Sequence, residues 1–214
     1  MSKTNFIHLW PTIIGRFSNP DHVNIKDDLL IFFKEVETIN PKGMSKKESL
    51  NLYESPYDLH TFKNNSFKKL INFFQESFLK TSLHAYQATV QNKDLNENSK
   101  FKVLIKDSWF IDYNKGGSVL PHNHGNCSWC CVYYVDLGGL HRNDEGNTYF
   151  LKPYTNNNLD DFGAYSYDSF STFSYKPKEG EILIWPSHLM HGTVPSTEMS
   201  KRIIVSANSK IFKA

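Results

Sequence analysis

Apolar residues recur at helical spacing twice within the first hundred positions. After Asn19-Pro20-Asp21, the side chains of Val23, Ile25, Leu29, Leu30, Phe33 and Val36 fall near one side of a helix, and Asn40-Pro41 breaks the pattern. A second helix is predicted to start near Asn65 or Ser66, with Phe67, Leu70, Ile71, Phe74, Phe78 and Leu79 on one side. Both faces read as packing surfaces, so the helices buttress another part of the fold. From Phe101 onward the texture changes to short β-type runs: Val103 to Tyr113, Ser118 to His124, Trp129 to Val135, Thr148 to Leu151, Thr172 to Tyr175, Glu181 to Trp185 and Arg202 to Ala207. Gly116-Gly117, Gly138-Gly139, Asn143-Asp144-Glu145-Gly146 and Lys178-Glu179-Gly180 punctuate them as turns. Many short strands separated by turns predict a sandwich or jelly roll. The whole is expected to be a single domain, mainly β with N-terminal helices (α+β): residues 1–100 form a mostly helical buttress and residues 101–214 a β core that carries the site. The polar stretch from Tyr154 to Ser171 is expected to be a long surface loop at the mouth of the site, with Tyr165, Tyr167 or Phe170 touching substrate.

Composition narrows the functional classes. With 39% hydrophobic and 21% charged residues, the chain has enough apolar surface to offset the entropy of ordering, which excludes wholesale disorder. Its longest aliphatic and aromatic run, Leu29 to Phe33, is far shorter than the roughly 20 residues that cross a bilayer. His8 and Pro11 interrupt the apolar stretch after Lys3, so the expectation is a cytoplasmic protein without a secretory signal. Cys127, Cys130 and Cys131, crowded together, read as reduced thiols. A net charge of +2 with both signs dispersed gives no specific nucleic-acid signal. Only Arg16, Arg142 and Arg202 are arginines; lysine supplies the rest of the positive charge. An arginine is the choice where a planar fork must grip a carboxylate or phosphate.

The chemistry concentrates in Leu120-Pro121-His122-Asn123-His124. On a strand, His122 and His124 point to the same face and can reach one ion together. A distant residue must complete such a site. His188 and His191 both follow the apolar run Leu183-Ile184-Trp185 and the turn at Pro186, and His191 is preferred. Three ligands would leave coordination positions open, as a catalytic ion requires. Arg202 then opens the apolar run Arg202 to Asn208, where a lone cation is costly unless it meets an anion: a bound acid or a protein carboxylate.

Trp109, Tyr113, Gly116, Gly117, His122, His124, the strand Val132-Tyr133-Tyr134-Val135, Gly180, Ile182, the turn Trp185-Pro186-Ser187, His191, Arg202 and Asn208 follow one another in an order and spacing that resembles a known family. The chain resembles the iron(II)- and 2-oxoglutarate-dependent oxygenases, most closely a microbial and phage branch, over residues 105–210; Leu9 to Ile14 also resembles the start of that branch. The resemblance implies a double-stranded β-helix of jelly-roll type with Fe(II) and 2-oxoglutarate as cofactors. It implies that His122 and His191 bind iron and that Arg202 grips the distal carboxylate of 2-oxoglutarate. Tyr134 and Tyr113 would hydrogen-bond the cosubstrate, and Ser206 would assist. His124 stands where most of these enzymes carry a carboxylate ligand, and Ile204 where the pattern often has serine. Hydroxylation of a small-molecule or protein substrate, with release of succinate and carbon dioxide, is the expected outcome. A homo-oligomer remains open. Two other readings compete: a three-histidine metal dioxygenase that does not use 2-oxoglutarate, and a noncatalytic metal or small-molecule binding module.

Overall fold

A computed structural model describes residues 12–44, 49–88, 100–139, 144–153, 171–196 and 202–213. In chain order its elements are β1 (Gly15–Ser18), α1 (His22–Ile39), β2 (Ser49–Glu54), a 3-10 turn (Leu59–Thr61), α2 (Asn65–Gln87), β3 (Phe101–Val119), β4 (Trp129–Asp136), β5 (Thr148–Leu151), β6 (Thr172–Tyr175), β7 (Glu181–Pro186), β8 (His191–Thr193) and β9 (Arg202–Lys213). Six strands form one sheet in the order β1-β7-β4-β9-β3-β2, and three form a second in the order β6-β5-β8. All pairings within the two sheets are antiparallel. This is the double-stranded β-helix.

Strand alternation divides the larger sheet between two apolar cores. On one face Phe110, Tyr133, Val135, Ile182, Ile184 and Val205 pack with Ile25, Leu29, Phe33, Phe67, Leu70, Phe74 and Phe78 of the helices. On the other, Trp109, Ile111, Tyr113, Val132, Tyr134, Leu183, Trp185 and Ile204 fill the interior of the β-helix beside Phe150 of the smaller sheet. Phe33 of α1 stacks on Phe110 of β3 with centroids 4.5 Å apart, so the helices fix the back of the strand whose front faces the interior. The packing role expected of both helices is what the structure shows. Asn64 caps α2 by accepting from the Phe67 N–H at 2.8 Å. Val23, placed among the apolar positions of α1, instead points to solvent, 85% exposed.

Several strand boundaries differ from the sequence reading. Residues before 100 provide two outer strands, β1 and β2, in addition to helices. The Gly116-Gly117 turn does not occur: β3 continues through the pair to Val119. Leu50 pairs with Ser118 and Leu52 with Tyr113, so the glycine pair lies within a register irregularity of β3 against β2. Gly116 takes φ +73, and a Cβ on Gly117 would meet two backbone oxygens at 2.7 Å, so glycine permits close approach there rather than reversal. The strand expected from Ser118 to His124 ends at Val119, and His122 makes only an isolated bridge to His191. β8, three residues long, carries no periodicity to read. The segment Tyr154 to Phe170, with Tyr165, Tyr167 and Phe170, lies outside the described residues, as do Leu9, Trp10, Pro11 and Arg142. Among the described residues no helix is long and apolar enough to cross a membrane.

Candidate metal centre and cosubstrate pocket

The backbone assembles the three histidines. Pro186 ends β7, the chain turns, and His191 opens β8. There the His122 N–H donates to the His191 carbonyl at 2.9 Å and the His191 N–H to the His122 carbonyl at 3.0 Å. The His124 N–H donates to the Ser187 carbonyl at 2.9 Å, pinning the loop after β3 to the turn after β7. The rings of His122 and His124 are 5.1 Å apart, those of His122 and His191 4.3 Å, and those of His124 and His191 5.1 Å. One nitrogen from each of the three lies within 4.8 Å of the others. The same-face arrangement expected of His122 and His124 is present, but this bridged loop produces it and strand alternation does not. His188 is exposed and takes no part.

Hydrogen bonds to the outer nitrogens fix which nitrogens face inward. Nδ1 of His122 lies 2.8 Å from the Leu120 carbonyl, and Nδ1 of His191 2.9 Å from the Leu189 carbonyl. A carbonyl only accepts, so both Nδ1 atoms carry the proton and both Nε2 atoms keep a lone pair. Trp185 Nε1 also lies 3.2 Å from His191 Nδ1, but two donors cannot share that contact, and the shorter bond to Leu189 defines the tautomer. Nδ1 of His124 lies 2.6 Å from Oδ1 of Asn208. With the outer nitrogens protonated, Nε2 of His122 and Nε2 of His124 confront each other across 3.2 Å as two lone pairs, an arrangement that a cation relieves. Burial, with the neighbouring His122 second, pushes His191 down to about 2, so its ring is neutral at ordinary pH. The donor set therefore fits a divalent transition metal.

Beyond the histidines a cavity of about 270 Å³ runs into the β-helix, lined in part by Trp109, Tyr113, Thr148, Thr193, Ile204 and Ser206. Arg202 shares the face of β9 with Ile204 and Ser206, and Tyr113 stands opposite it in the ladder. Its guanidinium carbon lies 4.7 Å from the ring centre of Tyr113 and 5.7 Å from that of Tyr134. Although only 2% of Arg202 is exposed, its Nε and Nη2 have no hydrogen-bond partner. Among the described residues no carboxylate forms an ion pair with it, although Glu54 lines the same cavity; a buried cation is costly unless it meets an anion. Tyr134 reaches Oγ1 of Thr148 at 2.8 Å and Tyr113 reaches Oγ1 of Thr193 at 3.4 Å. Burial raises both phenols, with Arg202 opposing, so each keeps its proton. Thr148 and Thr193 escaped the sequence reading because nothing local marks a threonine at the end of a short strand. The three thiols are free and none joins the histidines; burial raises the Cys130 and Cys131 thiols, as expected of inert reduced cysteines.

Residues 107–208 match the family model described as "Putative 2OG-Fe(II) oxygenase". No curated protein matches the chain in sequence. Among solved structures, a Pseudomonas putida prolyl-4-hydroxylase aligns at TM-score 0.58 and 10% identity over 93% of this chain and 92% of that one. The viral collagen prolyl hydroxylase of Paramecium bursaria Chlorella virus-1, in complex with 2-oxoglutarate, aligns at 0.54 and 14% identity over 92% and 95%. HygX from Streptomyces hygroscopicus, with nickel, 2-oxoglutarate and hygromycin B bound, aligns at 0.58 and 10% identity over 93% and 83%. Identities this low establish a shared fold. The family match spans the three histidines, Arg202 and both tyrosines. Residues 107–208 are thus similar to the Fe(II)- and 2-oxoglutarate-dependent oxygenases, the enzymes that the sequence also resembles.

Proposed function

We propose that His122, His124 and His191 hold one Fe(II) ion and that Arg202 receives the distal carboxylate of 2-oxoglutarate, for hydroxylation of a small-molecule or peptide substrate. The observation that carries this reading is the buried Arg202 guanidinium with Nε and Nη2 unpartnered, packed on Tyr113, which lines the cavity that the histidines close. Iron(II) held there would, with 2-oxoglutarate and dioxygen, supply oxidative decarboxylation to succinate and carbon dioxide, and with it the power to oxidise an unactivated C–H bond. Arg202 neutralises the acid through two parallel hydrogen bonds from its fork. Tyr113 and Tyr134, held in the phenol form, pack on that fork and offer hydroxyls to the cosubstrate, and Ser206 adds one from the cavity wall. Trp109 and Trp185 cover the histidines with apolar surface and limit water around them. A second cavity of about 260 Å³, lined by Tyr57, Asp107, Trp109, Asn123 and Gly125, adjoins His122 and His124, and substrate enters there. Its aromatic and amide walls suit a polar small molecule or a peptide side chain. The three reduced thiols accord with a cytoplasmic setting.

The test is succinate formation by anaerobically iron-loaded protein given 2-oxoglutarate, oxygen and a panel of metabolites and peptides. Substrate-dependent succinate, with a hydroxylated product of matching stoichiometry, supports the proposal. A product formed at full rate without 2-oxoglutarate would assign the site to a three-histidine dioxygenase. Stoichiometric iron and 2-oxoglutarate binding with no succinate under any condition would make it a binding module.

A further inference from the structure

Of the three imidazoles, two lean on neutral main-chain carbonyls and the third does not. Nδ1 of His124 meets the Asn208 side chain, and Nδ2 of Asn208 donates to Oδ2 of Asp107 at 3.0 Å. We propose that Asp107 and Asn208 are positioning residues for His124: a carboxylate–amide–imidazole relay that selects the tautomer and orientation of the ring as a metal ligand. The inference rests on the assignment of His124 to the metal site.

A carboxylate has no proton to give, so the Asn208 amide must turn its NH2 toward Asp107. That leaves Oδ1, an acceptor, facing His124 at 2.6 Å. His124 must then donate from Nδ1 and keep its Nε2 lone pair toward Nε2 of His122, 3.2 Å away. One charged residue thus decides the state of a ring two hydrogen bonds distant. Trp109 lies nearly parallel to that ring, with centroids 5.9 Å apart at 26°, and clamps its face. Three neutral imidazoles give a divalent ion no negative ligand. Asp107, whose charge Lys106 partly offsets, brings a carboxylate to the outer edge of the set, polarising the amide and making the imidazole a better donor to the metal.

The ladder shows how the relay is built. Ile105 of β3 pairs with Ser209 of β9, but after a register irregularity Asp107 pairs with Asn208. A regular ladder would set Lys106 opposite Asn208, and an ammonium would turn the amide the wrong way round. The bulge sends Asp107 to the amide, while Lys106 binds the same carboxylate oxygen from the side at 3.2 Å. An alternative use of Asp107 and Asn208, contact with substrate alone, would leave metal affinity untouched.

Cobalt(II) titration of the metal-free protein by calorimetry, with absorption spectra of the bound ion, tests the relay without turnover. Asn208→Ala is expected to weaken cobalt binding by about 10–100-fold, the range for outer partners of ligating histidines, and to shift the cobalt bands. Asp107→Ala should weaken it less and, because it acts only through the amide, add nothing when combined with Asn208→Ala. Wild-type affinity in Asp107→Ala, or losses that add in the double variant, would overturn the proposal. Should Asn208→Ala fail to fold, Asp107→Asn keeps the shape and removes the charge: weaker cobalt binding supports the relay, and unchanged affinity rejects it. His122→Ala separates the two levels, because undiminished cobalt binding there would sink the metal site itself, whatever the relay variants do.

Discussion

His122 and His191 are held edge to edge by two reciprocal backbone hydrogen bonds of 2.9 and 3.0 Å, although one follows β3 and the other opens β8. The main chain therefore brings the two rings together before any ion arrives. Such preorganisation limits the cost of ordering the ligands on binding.

For the metal site, His122→Ala should abolish stoichiometric Fe(II) binding while leaving the melting temperature of the metal-free protein nearly unchanged, since the bridge uses no side-chain atoms. His191→Ala should abolish binding and also lower stability, because His191 is buried against Trp185 and Phe150. Anaerobic iron titration with parallel thermal melts checks both; full iron binding by either variant would remove that ligand.

Arg202→Lys keeps the charge but loses the fork, so 2-oxoglutarate binding should weaken at least about tenfold, the size of one lost charge-assisted hydrogen bond. Iron binding should hardly move, which separates cosubstrate recognition from the metal. The measurement is 2-oxoglutarate affinity of the metal-loaded protein under anaerobic conditions. Undiminished affinity would place the acid elsewhere.

His22, at the start of α1, provides a pH-dependent stability term. Asn19 Nδ2 donates to the Tyr133 hydroxyl at 3.2 Å, and the same hydroxyl lies 2.8 Å from His22 Nδ1. Burial first, and Lys26 in the same direction, lower its pKa below the usual 6.5, with Glu179 and Asp136 opposing. The unfolded chain therefore takes up the proton first, and stability is lost as pH falls below about 6.5, by at most about 1.4 kcal/mol per pH unit for one group. Denaturant midpoints at pH 7.5 and pH 5.5 should diverge less in His22→Gln than in the natural chain. An equal fall in both would rule this histidine out as a source.

Phe33 and Phe110 tie α1 to the sheet. Phe33→Ala opens a cavity between Phe110, Phe67 and Phe32 and should cost about 3–5 kcal/mol of folding stability. Because Phe110 neighbours Trp109, whose ring flanks His124, cobalt affinity should fall in step if the helices brace the site. A stability loss of under about 1 kcal/mol would mean that the core collapses around the gap, the outcome that limits such costs.

Local pattern determined much of this protein. The spacing of Ile25, Leu29, Phe33 and Val36 marked a helix with one buried side, and the β-type run from Trp129 to Val135 marked a strand, which the fold buries on both faces. Residue chemistry singled out the histidines and Arg202 as candidates, and the family resemblance supplied the roles expected of them. Periodicity, however, reports which side of an element is buried and says nothing of its partner. The glycine pair inside β3, the outer strands β1 and β2, the short β8 and the end of β3 before His122 all depend on pairing across the sheets. A shift of one residue in the β3–β9 register exchanges Lys106 for Asp107 opposite Asn208, and only the folded ladder sets that register. The ligand candidates were therefore legible in the sequence, while the device that orients His124 exists only where two distant strands meet.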